Sequence, residues 1–192
     1  MVRLGNRHVA FAAALAASAS LLPLSQARAQ EVLDAKSATH VFKAYENDLD
    51  TLHAKFLALA TAIPADKYSW RPAPGVRSIS EAFLHVASEF YYWGPMSIGG
   101  TMPADWKSAK DHIPAIEKIT GKDQVIAELN KSWAHYQSQL KAAEPSKLTG
   151  AYKPWGEPLD VAAFSMVDDL HEHLGQMIAY SRSVGVKPPW SK

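Results

Sequence analysis

The sequence predicts an all-α protein, and two observations support this prediction. Four stretches carry apolar residues at three- and four-residue steps, which is the period of a helix with one buried face. After the first 29 residues, no stretch shows the sustained alternation of apolar and polar residues that is typical of a half-buried strand. Four long helices without strands favour a helical bundle, because each helix must bury its apolar stripe against the others.

The first predicted helix runs from about Ser37 to Ile63, and Pro64 ends it because proline has no backbone donor. Its apolar positions are Val41, Tyr45, Leu49, Leu52, Phe56 and Leu59. The residues that follow, 68–75, contain two prolines beside a tyrosine and a tryptophan. We therefore expect an ordered loop held by aromatic side chains between the first and second helices.

The second predicted helix begins with a capping box. Ser78 stands at the N-cap and Glu81 three residues later, so each side chain can bond the other residue's backbone N–H. An apolar stretch follows through Trp93, and the pair Gly94 and Pro95 is expected to end the helix.

Two further helices are predicted, at about 122–143 and 159–184, the latter ending near Gly185. About 25 residues rich in glycine, proline and aspartate separate the second helix from the third. Irregular connections of this length are more often functional than accidental. They are also too long for the tightest bundle loops and leave room for a crossover between helices.

The first 29 residues have the layout of a secretory signal peptide. They carry three arginines and no acid, an apolar run over 9–24, and a small-x-small cleavage site, Ala-Arg-Ala, at 27–29. The alternative is a membrane anchor, but two serines and a proline interrupt a run shorter than the roughly 20 residues of a span. We expect cleavage after Ala29, a periplasmic or secreted protein without stable membrane insertion, and one mature domain over 30–192.

Charge and cysteine content narrow the classes of function. Removing residues 1–29, with three arginines and no acid, turns the formal net charge of +1 into −2. A net charge of −2 argues against a positively charged protein surface that binds nucleic acid. The chain has no cysteine, which excludes disulfides, a cysteine nucleophile, cysteine-ligated zinc and iron–sulfur clusters.

Histidines are therefore the main candidates for chemistry. Ligands on one helix face must be three or four residues apart, and His171 and His173 are about 200° apart around the axis. Asp169 and His173 do have the four-residue spacing. The predicted domain contains seven histidines, namely His40, His53, His85, His112, His135, His171 and His173.

A further ligand has to come from another helix, and His85 is the candidate. It stands in the middle of the second predicted helix, with Glu81 and Glu89 one turn to either side. The alternative is a half-buried histidine that hydrogen-bonds one of these glutamates. Likewise, Asp169 and His173 can be an ordinary polar pair on a helix surface.

Common catalytic motifs are missing from the chain. The string 171–173 is His-Glu-His, not the His-Glu-x-x-His of metalloproteases. No Gly-x-Ser-x-Gly elbow occurs, although a Ser-His-Asp triad built from distant residues stays open. No glycine-rich phosphate loop follows a strand.

Three strings together resemble the DinB-like (DinB/YfiT) superfamily. They are Trp-Arg-Pro-Ala-Pro-Gly-Val-Arg-Ser-Ile at 70–79, Asp-x-x-x-His-Leu-Gly-Gln at 169–176, and Tyr-Ser-Arg-Ser-Val-Gly-Val-Lys-Pro-Pro at 180–189. Their order and spacing carry the resemblance over about residues 36–190. It implies a four-helix bundle with up-down-down-up connectivity and a divalent metal held between the second and last helices.

The resemblance also implies the ligands of that metal. They are His85 on the second helix and, on the last, His173 with Asp169, where the family usually has a second histidine. Glu89, one turn beyond His85, would be a fourth ligand or a group that supports the ligands. Two imidazoles and a carboxylate suit zinc or nickel first, and also iron or manganese.

Members of this family include thiol-dependent transferases, a thiol-dependent isomerase and metal hydrolases, and export fits a cytosolic thiol reaction poorly. The resemblance thus implies an exported metal-dependent hydrolase or group transferase for a small molecule that the sequence does not identify. The alternative is a non-catalytic binding or stress-related bundle with a vestigial metal site. A homodimer that associates through the aromatic faces of the helices is a further alternative.

Overall fold

A computed structural model describes residues 34–148 and 159–191, and these two ranges contain six α-helices and no strand. The all-α prediction is confirmed for this part of the chain. The predicted signal peptide lies outside the described residues. The helices are α1 (Ala35–Ala62), α2 (Ile79–Tyr91), α3 (Trp93–Ser97), α4 (Ala109–Ile116), α5 (Lys122–Ala142) and α6 (Leu159–Ser183).

The capping box of α2 forms as the sequence predicts. The Ser78 hydroxyl accepts a hydrogen bond from the Glu81 N–H at 3.3 Å, and the Ser78 N–H donates to Glu81 Oε2 at 2.7 Å. Two backbone donors that a helix start leaves unpaired are thereby satisfied. This start fixes the register of α2 and so decides which side chains share each face.

The predicted end of the second helix is wrong in detail. α2 ends at Tyr91, and Gly94 and Pro95 lie inside the short helix α3 rather than outside a helix. Proline is tolerated in a first helical turn because its missing N–H has no partner there. A Cβ on Gly94 would lie 2.7 Å from the ring of Tyr136, so glycine allows α3 to approach α5 closely. The long connection also contains α4, which we did not predict.

The core lies between the four long helices. α1 packs against α5 and α6, and α2 packs against the same two helices. The hydroxyls of Tyr45 and Tyr136 join α1 to α5 by a buried hydrogen bond. Within the two described ranges, no helix has both the length and the apolar character needed to span a bilayer. Fully buried core side chains include Leu49, Phe56, Leu84, Phe90, Leu129, Tyr136, Leu170 and Met177.

His53 of α1 is buried in this core. Its ring stacks on Trp133 with centroids 4.6 Å apart, and its Nε2 has no hydrogen-bond partner among the residues that the structure describes. Burial lowers the pKa of His53 to about 4, against a smaller opposite effect of Asp50. The folded protein therefore holds this imidazole neutral. Its contribution to stability is present above the ordinary pKa of 6.5 and is lost as the pH falls through about 4.

We expect His53→Phe to remove part of the acid sensitivity of the fold. Between about pH 7 and pH 4 the wild-type protein should lose about 2 kcal/mol through this residue, after allowance for solvent screening at the ring edge. Urea unfolding at several pH values measures the difference. His40→Phe, an exposed position on the same helix, is the control. Equal pH dependence in all three proteins would contradict the prediction.

Candidate metal centre

Two helices supply the polar side chains of the candidate site. On α2, His85 and Glu89 are four residues apart and therefore lie on one face. On α6, Asp169 and His173 have the same spacing. Because α2 and α6 pack against each other, the two faces meet at the helix interface.

Glu89 stands at the centre of this group. Its Oε1 lies 3.2 Å from Nε2 of His85 and 3.4 Å from Nε2 of His173. The same His173 nitrogen lies 3.4 Å from Oδ2 of Asp169. The two imidazole rings meet edge to face, with centroids 4.8 Å apart. One possible ligand atom each from His85, Glu89 and His173 lies within 4.8 Å of the other two.

The ligand atoms of the cluster, and the buried polar atoms in it that lack a hydrogen bond, fit a divalent cation. Buried side-chain polar atoms nearly always have a partner in folded proteins. Here His85 Nδ1, Glu89 Oε2 and Asp169 Oδ2 are buried without a hydrogen bond in the described residues. Two imidazoles with carboxylates are a common ligand set for first-row transition metals. The cluster could therefore hold a divalent metal, and the metal's identity is not determined by the geometry.

The electrostatics of the metal-free cluster follow from the same contacts. Burial would raise the pKa of Glu89, but hydrogen bonds from His173 and His85 outweigh it and lower that pKa to about 2. Burial and the neighbouring Glu89 raise the pKa of Asp169 to about 6. The hydrogen bond to Glu89 raises the pKa of His173, against the opposite effect of burial. Glu89 is thus an anion at the centre of the cluster.

A cavity of about 420 Å³ opens beside the cluster. Its size is within the range of small-molecule sites. Charged and polar groups of the cluster form part of its wall, and aromatic and aliphatic side chains form the rest. The lining residues are His85, Ser88, Glu89, Tyr92, Trp93, Ile113 and Asp169.

The structure brings the four residues singled out from the sequence into one cluster. Asp169 contacts His173 at 3.4 Å, but the group whose ligand atoms lie within 4.8 Å of one another consists of His85, Glu89 and His173 and does not include Asp169. Glu89, considered only as a fourth ligand or a supporting group, is the residue that contacts both imidazoles. The spacing of Glu89 from His85 could indicate a shared face, but not which carboxylate would be central.

The other described histidines lie elsewhere. His171 contacts Asp48 at 2.9 Å on the protein surface, and His112 stacks on Trp106. His135 bonds a backbone carbonyl. Sequence reasoning missed Glu117, whose Oε1 lies 3.6 Å from Nδ1 of His85. No periodic signal could have found it, because it follows α4 in a connection that we expected to be irregular.

The fold and the cluster together define an all-helical protein with a candidate transition-metal site beside a pocket. A sequence model described as the DinB superfamily matches residues 48–177, and the chain belongs to this superfamily. The match includes all four residues of the cluster. No curated protein matches the chain.

Proposed function

We propose that the protein is an exported metalloprotein that uses one divalent ion in the hydrolysis of a small molecule or in group transfer to it. The observation that carries this proposal is the convergence of two imidazoles and a carboxylate beside an open cavity. His85, Glu89 and His173 would hold the ion, and Asp169 would supply a further carboxylate. Zinc or nickel suits these donors first, before iron or manganese.

The proposed reaction class follows from the chemistry of the donor set. A divalent ion held by two imidazoles and a carboxylate acts as a Lewis acid and lowers the pKa of a water or thiol. Asp169 lines the cavity beside the proposed ligands, where its carboxylate would be placed to accept a proton from that water or thiol. Hydrolysis is favoured over thiol transfer because the signal peptide predicted over residues 1–29 implies export, which fits a cytosolic thiol reaction poorly.

The cavity lining supports a neutral, partly apolar substrate. Tyr92, Trp93 and Ile113 offer aromatic and aliphatic surface, whereas Glu89 and Asp169 are acidic. No lysine or arginine is among the described lining residues, so a phosphate or carboxylate would find no protein counter-charge there. An ester or amide of modest size matches this lining better than an anion does.

Two further parts of the proposal concern the molecule as a whole. We propose the up-down-down-up four-helix bundle of the superfamily. The packing of α1 and of α2 against the same pair, α5 and α6, supports this arrangement. We also propose a periplasmic or secreted location and no nucleic-acid partner, on the basis of the leader over residues 1–29 and the net charge of −2 after its removal.

Elemental analysis of protein purified without a histidine tag tests the proposal directly. We expect about one zinc or nickel ion per chain in the wild type, and a large loss in His85→Ala, because a ligand is removed. Hydrolysis of a neutral aryl ester should then depend on the metal and stop after treatment with a chelator. A trace metal content that is equal in both proteins would contradict the metal site. Stoichiometric metal without turnover of neutral esters or amides would favour the non-catalytic binding module.

A further inference from the structure

The end of α4 brings a second carboxylate to His85. Glu117 directly follows α4, and its Oε1 lies 3.6 Å from Nδ1 of His85. The other ring nitrogen, Nε2, is the one that faces Glu89 at 3.2 Å. The two glutamates therefore approach different nitrogens of the same imidazole, and only Glu89 is on the side of His173.

Glu117 has a partner of its own. Arg77 Nη2 lies 3.8 Å from the same Glu117 oxygen. Arg77 precedes Ser78, the N-cap of α2, so it is tied to the helix that carries His85. The guanidinium is always charged, so Arg77 is a fixed electrostatic partner for the Glu117 side chain.

We propose that Glu117 is a positioning residue for the metal site, with Arg77 holding it in place. A histidine that binds metal through one nitrogen nearly always donates its other N–H to a carboxylate or carbonyl, which fixes the tautomer and the ring orientation. Nδ1 of His85 is buried and has no hydrogen-bond partner in the described residues, and Glu117 faces it. A small rotation of the Glu117 side chain, which is about one-third exposed, brings 3.6 Å to hydrogen-bond distance.

This assignment gives α4 a role at the site. Ile113 of α4 lines the cavity, and Glu117 at the end of the same helix contacts His85. The α4 segment thus carries both a part of the pocket wall and the group that orients a ligand. The inference rests on the proposed metal site, because the orientation matters only if His85 binds metal through Nε2.

Competition with a chromophoric chelator tests this role through the zinc affinity of the whole protein. We expect Glu117→Ala to weaken zinc binding by roughly 10–100-fold, the usual effect of losing an outer partner of a ligating histidine. Glu117→Gln should lose less, because its amide oxygen still accepts the Nδ1 hydrogen. Glu144→Ala is the control, since Glu144 is an exposed glutamate that, like Glu117, is paired with a cation, in its case Lys147.

A second readout separates positioning from a general structural effect. Nitrogen-15 spectra of the imidazoles should show the Nδ1–H tautomer of His85 in zinc-loaded wild type, and a mixture or altered shifts in Glu117→Ala with an unchanged melting temperature. Zinc affinity and tautomer equal to wild type in Glu117→Ala would overturn the inference while leaving the metal site intact. A wild-type protein that binds neither zinc nor nickel would overturn both.

Discussion

Replacing His173 by alanine is expected to reduce the metal content from about one ion per chain to nearly none. Nε2 of His173 lies 3.4 Å from both Glu89 and Asp169, so the change removes the only imidazole that α6 contributes to the cluster. Losing an outer partner of a ligand costs roughly 10–100-fold in affinity, and losing the ligand itself should cost more than about 100-fold. Elemental analysis and chelator competition measure the two effects.

His171→Ala is a close control for this experiment. His171 lies two residues away on the same helix, and its Nε2 contacts Asp48 on α1 at 2.9 Å, on the protein surface. Exposed pairs of this kind are worth about 0–1 kcal/mol, so the variant should fold and bind metal like the wild type. Equal metal loss in both variants, or none in either, would contradict the site. Far-ultraviolet circular dichroism confirms that each variant is folded.

Much of the fold follows from local signals in the sequence. The 3.6-residue period predicted α5 to within one residue of its end at Ala142, and the capping box predicted the start of α2 at Ile79. The break between α2 and α3, at Tyr92, was not predictable in this way. Just after it, Gly94 lies so close to the Tyr136 ring that a Cβ would be 2.7 Å from it, and this contact joins residues 42 positions apart, which no local pattern reveals.

The sequence predicted which residues of the candidate site share a helix face, but not which side chain lies at the centre of the site. Four-residue spacing places His85 with Glu89, and Asp169 with His173, on their helices. The rotation of α2 relative to α6 decides which carboxylate contacts both imidazoles. The spacing of residues along one helix gives no information about that rotation. Glu117 reaches the site only because α4 folds back on α2.

The central position of Glu89 leads to the second large expected effect. Glu89→Gln keeps the size of the side chain but removes its charge, and we expect zinc affinity to fall by more than about 100-fold because an anionic ligand becomes neutral. In the metal-free protein the pKa of His173 should fall, since the hydrogen bond to Glu89 is the largest cause that raises it. Nuclear magnetic resonance titration of His173 measures that change.

The stability of the metal-free protein should change with Glu89→Gln in two pH ranges. Glu89 has a folded pKa of about 2, below its ordinary 4.5, so its contribution of about 3 kcal/mol is present above pH 4.5 and is lost as the pH falls through 2. The folded pKa of His173 is raised, so its contribution is present below its ordinary pKa of 6.5 and is lost as the pH rises through the folded value.

Both contributions involve the contact between Glu89 and His173, so Glu89→Gln should weaken both pH dependences at once. The variant is therefore expected to be least stable relative to wild type near about pH 5, where both contributions are present. Glu172→Gln, an exposed glutamate beside His173 on α6, is the control and should keep the wild-type profile and metal content. If urea unfolding gave parallel profiles for wild type and Glu89→Gln, Glu89 would not be the anion that joins the two histidines, and its role as a ligand would lose its electrostatic basis.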